Sequence, residues 1–240
     1  MILYAPKTGK RDLFNHMKLK SVKKRTAKIA GRARAPKVGK KSDITRERII
    51  AAAKTVFARL PYHAASMRMI GKEGGFNHEI IRYHFPNKAG LFQTILRGIC
   101  DDFYHSNISF LDRLSAMEPK EGFSLYIDRF LAHHFRNPEA LRIIVLNMVM
   151  TEKPESIPGY RYIPEMLSST RGTFMEKVPV IATDEEIEIF ISSFNNLLLH
   201  LLGASYCQAS ILGLKHTGVK YRKWVKTTLM EIFLPHLKRI

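Results

Sequence analysis

The sequence predicts an all-α protein, and three observations carry that expectation. Apolar residues recur at the i, i+3, i+4, i+7 spacing of a helix face through most of the chain after residue 42. Ser, Thr or Asn stands ahead of several of these stretches, and Gly or Pro closes them. No alternating strand pattern, hairpin turn or internal repeat interrupts the series. At 240 residues, 45% apolar and 25% charged, the chain is long enough for one large or two modest domains with a sizeable core.

Charge divides the chain unevenly. A net charge of +18 points to a polyanionic partner, nucleic acid or an anionic membrane. Residues 1–41 hold fourteen Lys or Arg against one acid, Asp12, so +13 of the excess lies there and only +5 in the rest. This segment, with VKKRTAKIAGRARAPKVGKK at its centre, lacks apolar periodicity and is expected to be a disordered basic arm. It either follows phosphates or is a solvated tail, and Met17 offers a second translation start. The expected division is an arm over 1–41, a three-helix module over 42–92 and a helical remainder over 93–240.

Thr45 is the expected cap of a first helix whose buried face is Ile49, Ala52, Ala53, Val56, Phe57 and Leu60, ended by Pro61. Ser66 caps a second helix, which turns Met67, Ile70 and Gly71 inward and stops at Gly74-Gly75, where glycine enters the left-handed conformation without cost. Asn77 caps a third, with Phe76 and Ile81 at the N′ and N4 positions of a hydrophobic staple. Phe57, Ile70, Ile81 and Phe85 supply one small shared core. Two helices joined by a glycine turn form a helix-turn-helix, whose second helix can enter the DNA major groove.

From Lys88 a long helix is expected through Leu91, Ile95, Ile99 and Phe103 to about Leu114. Pro119 opens the next, with Phe123, Ile127, Phe130, Leu131 and His134 on one face, and Asn137-Pro138-Glu139 starts another. Pro154 and Pro158 make 151–159 a loop. A helix follows over 163–178. Thr183 ahead of Asp184, Glu185 and Glu186 starts one that reads as continuous through Leu202, and the last runs from about Val219.

The stretch TRERIIAAAKTVFARLPYHAASMRMIGKEGGFNHEIIRYHFPNKAGLF resembles the N-terminal domain of the TetR family of bacterial transcriptional regulators over about fifty residues without a gap. It departs from the family pattern at Met69, where an acid is common, and at Gly71 and Gly90, where Ala is common. The resemblance implies a cytoplasmic, homodimeric repressor. Its partners would be double-stranded DNA carrying a palindromic operator and a small apolar or amphipathic effector that releases it.

Position on the third helix selects DNA-contact candidates. His78, Glu79 and Arg82 lie opposite the core contacts, and Arg82 can make a bidentate contact to guanine. Tyr83 and Lys88 match family positions that touch the DNA backbone. Thr45, Ser66, Arg68 and Asn77, at helix starts, complete the set, with backbone N–H groups available to phosphate.

The effector candidates are the aromatic and sulfur-bearing residues of the C-terminal part, with the polar groups among them. They include Phe103, Phe110, Phe123, Tyr126 and Phe130, then His133 and His134. Met148, Met166, Phe174, Phe194 and Asn195 complete the set. The broadly apolar last two helices give the dimer candidates Phe194, Leu198, Leu201, Trp224, Thr228, Ile232 and Phe233.

Other classes fit poorly. There is no phosphate loop, dinucleotide fingerprint, nucleophile elbow or framed carboxylate pair, so no enzyme and no cofactor is expected. His133 and His134 are adjacent and have no partner at i+4, which argues against a metal site. Cys100 and Cys207 are too far apart in sequence to suggest a disulfide framework, and no apolar run reaches the length of a membrane span. The alternative is a basic helical protein that binds DNA or an anionic surface non-specifically through its tail; an enzyme that has reused this head is a third option.

Overall fold

The computed structural model describes residues 40–149, 151–178 and 182–237, all within the unit 39–240. All but the last two residues of the expected arm, Met17 included, lie outside the described residues. Ten α-helices and no strand occur among the described residues: α1 (Lys40–Arg59), α2 (Met67–Gly74), α3 (His78–His84), α4 (Lys88–Phe110), α5 (Pro119–Arg136), α6 (Glu139–Val149), α7 (Tyr162–Lys177), α8 (Asp184–Leu198), α9 (Ser205–Ile211) and α10 (Val219–Leu237). The chain is all-α, as its periodicity requires.

Three successive Asn and Ser caps set the head. Ser66 accepts from the Met69 N–H at 3.2 Å, Asn77 from Ile80 at 2.8 Å and Asn87 from Gly90 at 2.8 Å, opening α2, α3 and α4 in turn. Gly75 ends α2 in the left-handed region at φ 69°. A Cβ on Gly71 would stand 2.9 Å from the Phe76 carbonyl oxygen, and one on Gly74 would stand 2.3 Å from the Phe76 ring. The missing side chains let the turn fold down onto α2. Phe57, Ile70, Ile81 and Phe85 are buried in one cluster, as the spacing predicts.

Three helix limits differ from expectation. Thr45 does not cap α1, which begins at Lys40: no Pro or Gly breaks the chain between Lys40 and Thr45, and Asp43 in the first turn meets the positive end of the helix. The backbone N–H of Thr45 therefore belongs to the helix ladder and is not available to phosphate. α4 ends at Phe110 rather than Leu114, because Arg113 turns into the left-handed region at φ 63°. Arg129 Nη1 donates to the Phe110 and Asp112 carbonyls, each at 2.9 Å, satisfying the end of the helix.

The helix that starts as α8 reaches Leu202 as expected, but not as one regular α-helix. It passes into a π turn at Leu199–Gly203 and bends by 77° into the unforeseen α9. Gly203 presses on α6, where a Cβ would stand 2.5 Å from Val145 Cγ2. The buried Tyr221 hydroxyl donates to Leu201 O at 2.6 Å, pinning the turn to α10.

One corner joins head and body. The connection after α1 receives Asn147 of α6, whose side-chain oxygen accepts from the Tyr62 N–H at 2.8 Å and whose amide donates to Ile143 O at 2.8 Å. Arg142 Nε, also on α6, donates to Ala58 O at 2.6 Å. Asn147 is buried, so Asn147→Ala leaves the Tyr62 N–H without a partner. The expected loss is about 1–3 kcal/mol of unfolding free energy in urea titration, while the conservative Asn147→Gln is expected to retain part of it.

Candidate functional site

The outer face of α3 is open and polar. His78, Glu79 and Arg82 are exposed, and Tyr83 is 79% exposed, its ring 5.0 Å from that of the neighbouring His84. Ile80 is also on the exposed side, at 40%. Ile81 is fully buried and sets which side of the helix faces inward. Among the described residues none of His78, Glu79 and Arg82 is engaged in an ion pair. Arg68 is exposed on the first turn of α2, while Ser66 and Asn77 use their side-chain oxygens as caps. A short helix so presented, with cationic and hydrogen-bonding side chains outward, has the makings of a groove-reading surface.

Lys88 has a structural role that the sequence did not disclose. Its ammonium donates to the Tyr62 and Ala65 carbonyls, both at 2.8 Å, and lies 4.3 Å from the Tyr62 ring centroid. Partial burial pulls its pKa below the ordinary lysine value. Two of its three N–H groups are thereby committed to the corner after α1, so it ties the first turn of α4 to the head.

A cavity of about 180 Å³ opens in the C-terminal part, walled by α4, α5, α7, α8 and the end of α10. Phe123, Tyr126, Phe174, Phe190 and Phe194 give it an aromatic lining, with Leu111, Leu114, Met117 and Ile191 around them. Tyr126 donates to Asn107 Oδ1 at 2.8 Å, and burial raises its phenol above the ordinary range. Arg171 is the one charged residue in this wall among the described residues. Its Nε lies 3.2 Å from Glu188 Oε2, at an angle too oblique for a hydrogen bond, and its Nη2 lies 3.9 Å from Asp184 Oδ1.

Of the effector candidates, the cavity brings together Phe123, Tyr126, Phe174, Phe194 and Asn195. Phe103, Phe110, Phe130 and His133 form an adjoining packed cluster with centroids 5.5 to 6.1 Å apart, which touches the cavity's Tyr126 through Phe110 and Phe130 but does not line it. His133 also lies 3.1 Å from Asp102 Oδ2 through Nε2. Met148 and Met166 pack against the core, and His134 is buried. Sequence reasoning missed Asn107, Arg171 and Phe190, because nothing in a lone polar residue on a helix tells which neighbour it will face. The dimer candidates also divide. Phe194, Leu198, Leu201 and Phe233 are buried within the chain itself, since α8 and α10 pack on each other and on α5. Trp224 and Thr228 are half-buried, and Ile232 is 46% exposed.

These elements define a helical protein with an N-terminal helix-turn-helix and a cavity-bearing C-terminal part. Residues 49–95 match the family described as bacterial regulatory proteins, tetR family. Over 64 residues the chain is 41% identical to the HTH-type transcriptional regulator BetI of Vibrio atlanticus, covering 27% of this chain and 32% of that protein. The match thus spans about a third of that relative's length. The fold is shared more widely. A TetR-family transcriptional regulator from Agrobacterium tumefaciens superposes with a TM-score of 0.56 at 16% identity, over 83% of this chain and 98% of the other. The transcriptional regulator FadR of Bacillus subtilis, in complex with stearoyl-CoA, gives 0.54 at 14% identity, over 76% and 96%. Residues 49–95 thus carry an N-terminal domain of the TetR family, and the whole chain shares the fold of TetR-family regulators.

His134 offers a test of its place in the core. Burial, and then the neighbouring His133, lower its pKa from 6.5 to about 4. As pH falls the unfolded chain takes up the proton first, so this contribution to stability is complete above about pH 6.5 and is lost between there and about pH 4. The expected loss is at most about 3 kcal/mol. Urea titrations across that window should show a shallower pH dependence in His134→Leu than in the parent protein.

Proposed function

We propose that this protein is a homodimeric repressor that binds a palindromic operator through α3 and releases it when a small molecule occupies the C-terminal cavity. The outward face of α3, with Arg82 and Tyr83 exposed and Ile81 buried behind them, carries the DNA-reading part of this proposal. Arg82 reads a base edge, with His78 and Glu79 beside it, while Ser66, Arg68, Asn77 and Tyr83 position the head on phosphates. The hydroxyl of Thr45 and the remaining N–H of Lys88 are secondary contacts. In this reading the basic residues of 1–41 add sequence-independent affinity to the same DNA.

Two protomers would meet along α8 and α10. Trp224, Thr228 and Ile232 share one stripe at i, i+4, i+8, and Ile189 of α8 is 61% exposed, so these rather than the buried Phe194, Leu198, Leu201 and Phe233 form the seam. The BetI relative and the FadR structural neighbour are transcriptional regulators, and the FadR neighbour is in complex with stearoyl-CoA, which supports a small-molecule ligand here. For release, the ligand must favour the conformation that does not bind DNA; tenfold weaker operator binding needs about 1.4 kcal/mol of coupling.

Selection from a randomised duplex library should return an inverted repeat. On that sequence Arg82→Ala is expected to cost about 1–3 kcal/mol and to relax preference at one position per half-site, with binding to random DNA nearly unchanged. An equal loss on selected and random DNA would mean that α3 does not read bases and that the basic arm alone drives binding.

A further inference from the structure

We infer that the C-terminal cavity is built for a single-ring aromatic carboxylate, its ring among the phenylalanines and its carboxylate on Arg171 in place of Glu188. This rests on the reading of the C-terminal part as the effector-binding domain. Size is the first constraint. The cavity measures about 180 Å³. A cavity of about 150 Å³ accepts benzene, whereas drug-sized ligands need roughly 300 Å³ or more. One ring with one small substituent fills this space, and a long acyl chain would extend beyond it.

The wall matches a ring in kind as well as in size. Phe123 and Phe194 have centroids 5.7 Å apart, Phe123 and Phe190 6.5 Å, and Tyr126 and Phe194 6.0 Å. Such rings present edges and faces to a further ring at the offsets aromatic pairs prefer. Charge is the second constraint. Among the described residues the wall contains one cation, Arg171, and no acid. The guanidinium is incompletely satisfied, because its buried Nε meets Glu188 obliquely. The two carboxylates near it, Glu188 and Asp184, are largely exposed at 61% and 94%. An exposed ion pair of this kind is weak, while a ligand carboxylate held from inside the cavity can take paired, charge-assisted hydrogen bonds. Asn107, its oxygen occupied by Tyr126, also lines the cavity.

The exchange has a structural consequence. Arg171 ties α7 to Glu188 of α8, and α7 packs along α4, so taking Arg171 from Glu188 loosens a tie beside the helix that carries Lys88.

Calorimetric titration of the full chain with benzoate, benzamide and decanoate tests the inference. Benzoate is expected to bind roughly tenfold more tightly than benzamide or decanoate. Arg171→Met should weaken benzoate by roughly tenfold and leave benzamide unchanged. Glu188→Gln, an exposed substitution that removes the competing carboxylate, should tighten benzoate severalfold and keeps the test open should Arg171→Met fail to fold. Equal affinity for benzoate and benzamide, or undiminished benzoate affinity in a folded Arg171→Met, overturns the inference. Binding of decanoate without benzoate overturns it while leaving the effector-binding reading intact. If none of the three binds, the inference falls; the effector-binding reading falls with it only if a broad metabolite panel also leaves operator binding unchanged.

Discussion

The corner that follows α1 is the constraint on which the rest of the structure depends. Between Ala58 and Ala65 the backbone turns out of one helix and into another, which leaves carbonyl and N–H groups without helical partners. Among the described residues, the side chains that reach its backbone from other elements are Lys88 at the start of α4, and Arg142 and Asn147 on α6. The Tyr62 ring closes the corner by packing 5.0 Å from Phe92 and under the Lys88 ammonium. The head therefore does not hang from a single covalent hinge. It is held at two more points by groups whose loss would expose unsatisfied polar backbone.

This arrangement places the cavity in physical continuity with the corner, and so with the helix-turn-helix it supports, along two routes. One is α4 itself, which contributes Asn107 and Leu111 near the cavity at one end and Lys88 at the other. The second leaves α8, which supplies Phe190 and Phe194 to the cavity, and passes through the π turn. There Gly203 lies so close to α6 that a methyl group would collide with Val145, and α6 holds the corner through Arg142 and Asn147. Helices in such close contact shift together or not at all, because a packed interface has few intermediate arrangements. A small change at Arg171 or Phe194 thus has rigid elements to act through.

Much of the head was legible in the sequence because its determinants are local. Ser66, Asn77, Gly75 and the staple pair each act within four residues of themselves, so capping chemistry and left-handed glycine are visible without a fold. Thr45 was misread for the same reason: a capping residue type is only permissive, and an uninterrupted upstream segment let α1 start at Lys40. In the C-terminal part the periodic pattern located nearly every helix but not what faced what. Phe103, Phe130 and Phe123 are alike in sequence, yet only Phe123 reaches the cavity. Likewise the apolar breadth of α8 and α10 suggested an interface, and most of that breadth proved to be spent on the chain's own core at Phe194, Leu198 and Phe233.

By itself, then, the sequence determined the all-α class, the helix-turn-helix and the side of α3 that faces outward, since these follow from helical periodicity and from caps that act over one turn. Only the tertiary structure decided that Lys88 and Asn147 bind the corner, that α8 breaks into a π turn, and that Arg171 meets an aromatic cavity. These pairings join residues 23 to 85 positions apart or arise where several helices converge. No local pattern encodes them, because a side chain's partner across a core is set by the packing of whole helices and not by its neighbours in the chain.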